Sequence, residues 1–221
     1  MAAGPPDGGS GAVDRTPMVD RAWRWPLHIL RWGLVAMLVG GLIADLERLD
    51  GKGWLVRTLT FPLCIAVAPL LSRWSKRRIA YYTAADTCIV APFFLDIGGN
   101  MLGLYESVEV FDDILHLANW ALLAVAFTMI LRGSRPMTRL GLVSAGGGFG
   151  AFLIVLWEFL EYVVAKTGTS RLFLTYEDTV VDLALSTGGA IVGALIVAFL
   201  VRPRFSERSG GMRGPGAAAP A

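Results

Sequence analysis

Six stretches of this chain are each long and apolar enough to cross a lipid bilayer, and nothing else in the sequence restricts its fold as strongly. A membrane helix needs roughly 20 mainly apolar residues, within a range of about 17 to 25. The stretches run from Leu27 to Ala44, Trp54 to Leu71, Ile79 to Leu95, Ile114 to Leu131, Gly141 to Val164 and Val180 to Val201. With 54% hydrophobic and 17% charged residues over 221 positions, the composition is too apolar for an ordinary soluble domain. The expected fold is an all-α polytopic membrane bundle of about six transmembrane helices over residues 25–202. Residues 1–24 and 203–221, rich in Gly, Ala and Pro, are expected to be disordered cytoplasmic tails. No Ala-x-Ala-like cleavage site precedes the first apolar run, so no removable signal peptide is expected.

Basic residues orient the bundle, because short cytoplasmic loops retain Lys and Arg. Fifteen of the twenty fall on one side: Arg15, Arg21, Arg24 and Arg31, then Arg73, Lys76, Arg77 and Arg78, then Arg132, Arg135 and Arg139, then Arg202, Arg204, Arg208 and Arg213. The alternate loops hold Arg48, Lys52, Arg57, Lys166 and Arg171. Both termini are therefore expected in the cytoplasm, in the inner (plasma) membrane. A net charge of +2 without a basic patch argues against nucleic acid as a partner. Membrane lipids are the expected partners. Cys64 and Cys88 lie in apolar runs without a closely spaced Cys/His set, so neither a disulfide nor a zinc finger is expected.

With this topology one set of acids collects at the outer face: Asp96, Asp112, Asp113 with His116, Glu158 with Glu161, and Asp178 with Asp182. A carboxylate in hydrocarbon is costly unless paired, protonated or metal-bound, so such residues are candidate functional groups. His116 and Asp182 each lie one turn, about 6 Å, inward of Asp112 and Asp178. Asp112, Asp113 and His116 share a helical face with Asn119 and Trp120; Glu158 pairs with Glu161 at i, i+3 and Asp178 with Asp182 at i, i+4. Three helices each offering such a pair is how helical bundles build metal sites. Carboxylates with one imidazole suit a divalent cation such as Mg, Mn, Ca or Zn.

Helix capping explains part of the set. Asp112 or Asp113, and Asp178, stand where helices are expected to begin, and Asp is a favoured N-cap. Glu106, Glu109 and Glu177 read as solvated loop residues. His116, Glu158, Glu161 and Asp182 fall inside apolar runs, where capping has no role. The candidate assignment gives His116, Glu158 and Asp182 to a metal, Glu161 and Asp113 to catalysis, and Arg57 to substrate phosphate, with neutralisation of one acid or snorkelling to the outer interface as Arg57's plainer role. Asp86 is either a protonated, hydrogen-bonded core residue or a relay member. Gly146 with Gly150, and Gly189 with Gly193, form small-xxx-small patterns by which the last two spans are expected to touch. No phosphate loop, His-Glu-x-x-His helix or Gly-x-Ser-x-Gly elbow appears, so a nucleotide cofactor and serine chemistry are not expected, and Ser186 reads as a packing hydroxyl.

The runs Asp96–Tyr105 (DIGGNMLGLY), Phe111–His116 (FDDILH), Trp157–Tyr162 (WEFLEY) and Asp178–Asp182 (DTVVD) resemble the YjdF-type family of bacterial inner-membrane proteins of unknown function. More distantly, Asp112-Asp113-Ile114-Leu115-His116 is similar to the Asp-Lys-x-x-His start of the VanZ-like group, named for a teicoplanin-resistance protein. Asp182, Ser186, Gly189 and Gly193 resemble that group's Asp-x-x-x-Asn-x-x-Gly-x-x-x-Gly end. The resemblance spans roughly residues 96–201 and implies a helical membrane fold without a settled reaction. Asp113 stands in the place of the VanZ-like lysine and Ser186 in that of its asparagine, so a glycopeptide-resistance role is not expected.

Three functions fit these residues. One is a metal-dependent enzyme acting on a lipid or lipid-linked envelope precursor. The second is a proton- or cation-coupled carrier. The third is a non-catalytic envelope protein whose charged network locks its helices.

Overall fold

The computed structural model describes residues 22–44, 46–75, 82–167 and 175–201. The two expected tails fall almost wholly outside the described residues. Within them every regular element is helical. We label the helices α1 (Arg24–Ile43), α2 (Trp54–Trp74), α3 (Thr83–Leu102), α4 (Leu104–Ser107), α5 (Phe111–Ser134), α6 (Arg139–Lys166) and α7 (Tyr176–Leu200). A 3-10 turn at Phe61–Leu63, carrying Pro62, interrupts α2.

Five of these helices, α1, α2, α5, α6 and α7, are long and apolar enough to cross a membrane. The sequence count of six differs at α3. It has 20 residues, but Asp86, Thr87, Asp96 and Asn100 dilute its apolar character. It tolerates them because it lies among other helices: Asp86, Thr87 and Asn100 are all buried. Its start also differs from the expected Ile79, a position outside the described residues. The helix begins at Thr83, which places Asp86 in the first turn, where the positive helix end favours a carboxylate. Arg31 of α1 completes the neutralisation by pairing with Asp86.

The bundle has two halves. α7 packs most extensively on α5 and then on α6, while α1 and α2 pack on α3, and α3 against α5 joins the halves. In the first half Leu34, Leu38, Val90 and Ile97 are almost fully enclosed. Trp54 fills the space that Gly41 leaves and donates Nε1–H to the Leu38 carbonyl at 3.0 Å. Cys64 and Cys88 are free and buried. Many large apolar side chains point outward, including Ile29, Leu59, Phe152, Phe159 and Phe199, as lipid-facing surfaces require.

In the second half the four glycines do two different jobs. Gly146 and Gly150 of α6 face Ala194 and Ala190 of α7, so these two helices do touch, as the small-residue pattern predicts. Gly189 and Gly193, by contrast, face α5: a Cβ at either would run into the backbone carbonyl of Leu117 or Ala121. Backbone cannot yield as a side-chain tip does, so α7 lies closest to α5 only because both positions lack a side chain. Gly189→Ala is therefore expected to lower stability by about 1–3 kcal/mol, the usual cost of overpacking. Gly188→Ala is the control. A Cβ at Gly188 meets nothing within 4 Å, and detergent melting is expected to show it neutral or stabilised by up to about 1 kcal/mol.

Candidate metal centre and its cavity

The close approach of α7 to α5 brings two helical faces together. α5 carries Asp112 and His116 one turn apart, and α7 carries Asp182 and Ser186 at the same spacing. His116 Nε2 lies 3.8 Å from Asp112 Oδ1 and 3.5 Å from Asp182 Oδ1. Its Nδ1 lies 3.0 Å from Ser186 Oγ. One ligand atom from each of Asp112, His116 and Asp182 falls within 4.8 Å of the other two. Ligands about 2.1 Å from one ion stand about 3–3.5 Å apart, so a small side-chain adjustment gives three of the positions a divalent cation needs.

The imidazole sets what the group can hold. Ser186 is buried, and if its hydroxyl accepts Nδ1–H, Nε2 is left bare between two carboxylate oxygens. Three electron-rich atoms at that spacing need a proton or a metal ion between them. An outer partner that fixes the tautomer in this way is a regular part of histidine metal sites.

Geometry redistributes the sequence candidates. His116 and Asp182 are in the group, and Asp112 joins them. α5 begins at Phe111 with Val110 as its N-cap and no side-chain capping bond, so Asp112 does not act as a cap. At the start of α7 the capping side chain is Thr175, which accepts from the Asp178 amide at 3.1 Å. Glu161 stands apart from the three and accepts a 2.9 Å hydrogen bond from Trp157. Glu158 also lies outside the three, and its Oε1 is enclosed without a hydrogen-bond partner among the described residues. Asp113 is exposed and outside the group. Ser186, read from the sequence as a packing hydroxyl, is the residue sequence reasoning missed. Its signal was the i, i+4 step from Asp182, the same step that separates Asp112 from His116.

Arg57 forms an ion pair with Asp96 and donates Nε–H to the Lys52 carbonyl at 3.0 Å. Tyr105 Oη donates to Asp96 Oδ1 at 2.7 Å. Burial, with the Asp96 carboxylate beside it, holds the phenol proton on well above the ordinary tyrosine range. Gly103, with φ +68°, ends α3 in the left-handed region and turns the chain into α4, which carries Tyr105. Beside it Lys52 pairs with Glu106 and holds that carboxyl below its ordinary range, mainly through their hydrogen bond. A lowered folded value contributes stability above the unfolded carboxylate range, near pH 4.3, which is lost as pH falls through the folded value. Because Glu106 is exposed, Glu106→Gln is expected to lower stability by less than about 1 kcal/mol at neutral pH. Melting at acidic pH should show that difference vanish.

Both groups line a single cavity of about 950 Å³. At one end its wall includes Lys52, Arg57, Asp96, Tyr105, Asp112, His116, Glu161 and Asp182; Glu158 and Asp113 do not reach it. Farther down, α5 contributes Leu123, Ala126, Phe127 and Ile130, α2 contributes Val67 and Leu71, and α6 contributes Phe149 and Leu153. Asn119, one turn below His116 on this wall, has a buried Oδ1 without a hydrogen-bond partner among the described residues.

The chain belongs to the family whose model is described as "Predicted membrane protein (DUF2238)", matched over residues 27–203. That interval contains the whole cavity wall and the Asp112–His116–Asp182 group. No curated protein and no solved structure matches the chain.

Proposed function

We propose that this member of a family of predicted membrane proteins binds a divalent cation through Asp112, His116 and Asp182 and uses it to hold the phosphate of a membrane lipid or lipid-linked envelope precursor. The observation that carries this reading is the shared cavity, polar at the cation group and apolar beneath it. Its charged lining has six carboxylates, Asp50, Asp96, Asp112, Glu161, Asp178 and Asp182, against Lys52 and Arg57. Such a surface repels a bare phosphate, whereas a hard divalent cation bound there attracts its oxygens.

When bound, the ion would supply Lewis-acid polarisation of a phosphoryl or ester oxygen. Glu161 lines the cavity within reach of the same space and is the candidate base; Trp157 orients it through their hydrogen bond. Arg57 already shares its guanidinium with Asp96, so it supports the phosphate side of the site as a positioned charge. The carrier alternative needs a polar path to the opposite face, and the wall beyond Asn119 on α5 offers only apolar side chains.

A six-span arrangement in the inner membrane, with both termini cytoplasmic, completes this reading. α3 has the length for a crossing, about 30 Å, and its two acids are paired with Arg31 and Arg57. The YjdF-type and VanZ-like motif resemblances support the cation group, since the Asp112–His116 and Asp182–Ser186 segments are the ones that meet.

The test is binding of hexadecyl phosphate to the protein in phosphatidylcholine nanodiscs, with manganese and with chelator. Retention that needs the ion is expected. Equal retention in chelator would sink the proposal.

A further inference from the structure

The cavity is a slot with a direction. Every charged group in its wall lies at the end where α2, α5 and α7 begin and α3 and α6 finish, and beyond Asn119 the α5 side of the wall is apolar through Ile130. From His116 to Ile130 is 14 residues of one helix, about 21 Å, against a hydrocarbon core of about 30 Å. The slot therefore starts below the outer surface and passes the bilayer midplane. Among the described residues α2 packs on α1 and α3, and α6 on α5 and α7, while α2 and α6, which both line the cavity, form no extensive interface, so the side between them is its weakest wall. An opening between two membrane-facing helices admits molecules already dissolved in the bilayer.

We infer that the slot takes an amphiphile with a long hydrocarbon chain, which enters sideways between α2 and α6, sets its phosphate at the outer end and lays that chain along α5 to Ile130. At about 950 Å³ the cavity has room for such a chain. The head position rests on the cation reading above, whereas the chain position rests on the apolar wall alone. Asn119, with its enclosed unpartnered oxygen, marks the boundary: a head-group hydroxyl or amide held near His116 can donate to it.

The experiment uses hexadecyl phosphate carrying a diazirine at the chain end, and an octyl analogue, with the full chain in phosphatidylcholine nanodiscs and manganese present. Light-induced labels are mapped by peptide mass spectrometry. The long probe is expected to label residues 126–130 and 67–71 at least about tenfold over the outward-facing Phe159 and Phe199, the preference that about 1.4 kcal/mol of site binding gives. The octyl probe should label Trp120 and Leu123 instead. Ile130→Trp, with Val67→Trp as an independent second plug, should remove far-end labelling by the long probe and spare the octyl label. Labels spread evenly over outward-facing residues overturn the slot, even if manganese binds at His116. Far-end labelling that persists without any manganese binding overturns the cation reading and leaves the slot standing.

Discussion

Replacing Asp86 with alanine is expected to lower stability by about 3–5 kcal/mol, the usual cost of removing one partner from a buried ion pair. Asp86 is fully enclosed, and Arg31, its partner across the α1–α3 interface, keeps about a fifth of its side chain exposed. Arg31 also donates to the Ile65 carbonyl of α2 at 3.3 Å, so one guanidinium ties three helices together. Removing the carboxylate leaves a cation in an apolar interior, with the positive end of α3 aimed toward it. Thermal melting in detergent measures the loss. Arg31→Leu combined with Asp86→Leu provides the contrast: replacing a buried pair by apolar residues is often neutral or stabilising, so the double variant should recover most of the loss. A double variant as unstable as Asp86→Ala would mean that the pair does more than neutralise itself. Neither variant should alter cation binding, because Asp86 lies ten residues, about 15 Å along α3, from Asp96 at the polar end of the cavity.

What the sequence disclosed, and what it withheld, follows from the range of the forces involved. Apolar runs report membrane helices directly, because length and hydropathy are local properties, and five helices meet that test. The exception, α3, is the helix whose polarity is compensated by residues distant in sequence: Arg31 and Arg57 lie 55 and 39 positions from Asp86 and Asp96. No window along the chain can see such a pairing. The same limit governs the site. His116 and Asp182 are legible because an ionisable group inside an apolar run is costly wherever it packs. Asp112 sits at a helix start, where capping is an adequate local explanation, and only its approach to His116 and Asp182 reveals another role. Glu158 and Glu161 meet the same sequence criterion as His116, yet α6 leaves both outside the Asp112–His116–Asp182 group, with Glu161 accepting from Trp157. Which face of a helix meets which neighbour was decided by Gly189 and Gly193 touching α5 rather than α6. A small-xxx-small pattern announces close approach without naming the partner.

Loss of the cation is the sharper test of function. Asp182→Asn and His116→Ala should each weaken manganese binding by more than about 100-fold, beyond the 10–100-fold usual for removing only a supporting partner. Ser186→Ala should fall within that lesser range, because Ser186 touches the metal candidate only through His116 Nδ1. Asp112→Asn should resemble Asp182→Asn, whereas Asp113→Asn should match the parent, since Asp113 is exposed and outside the group. Electron paramagnetic resonance of manganese titrated into purified protein reads all five, and melting curves recorded alongside separate lost ligands from lost folding. The ordering carries the argument: Asp112 and Asp113 are adjacent and chemically identical, so only the direction of their side chains distinguishes them. If Asp113→Asn weakened binding as much as Asp112→Asn, the effect would come from summed negative charge at that end of the bundle. An ion held only by that field would also be shed as salt screens it, within about 10 Å at 0.1 M ionic strength. An ion coordinated by Asp112, His116 and Asp182 should resist such salt, and its affinity should fall as pH drops, because each ligand must first lose its proton.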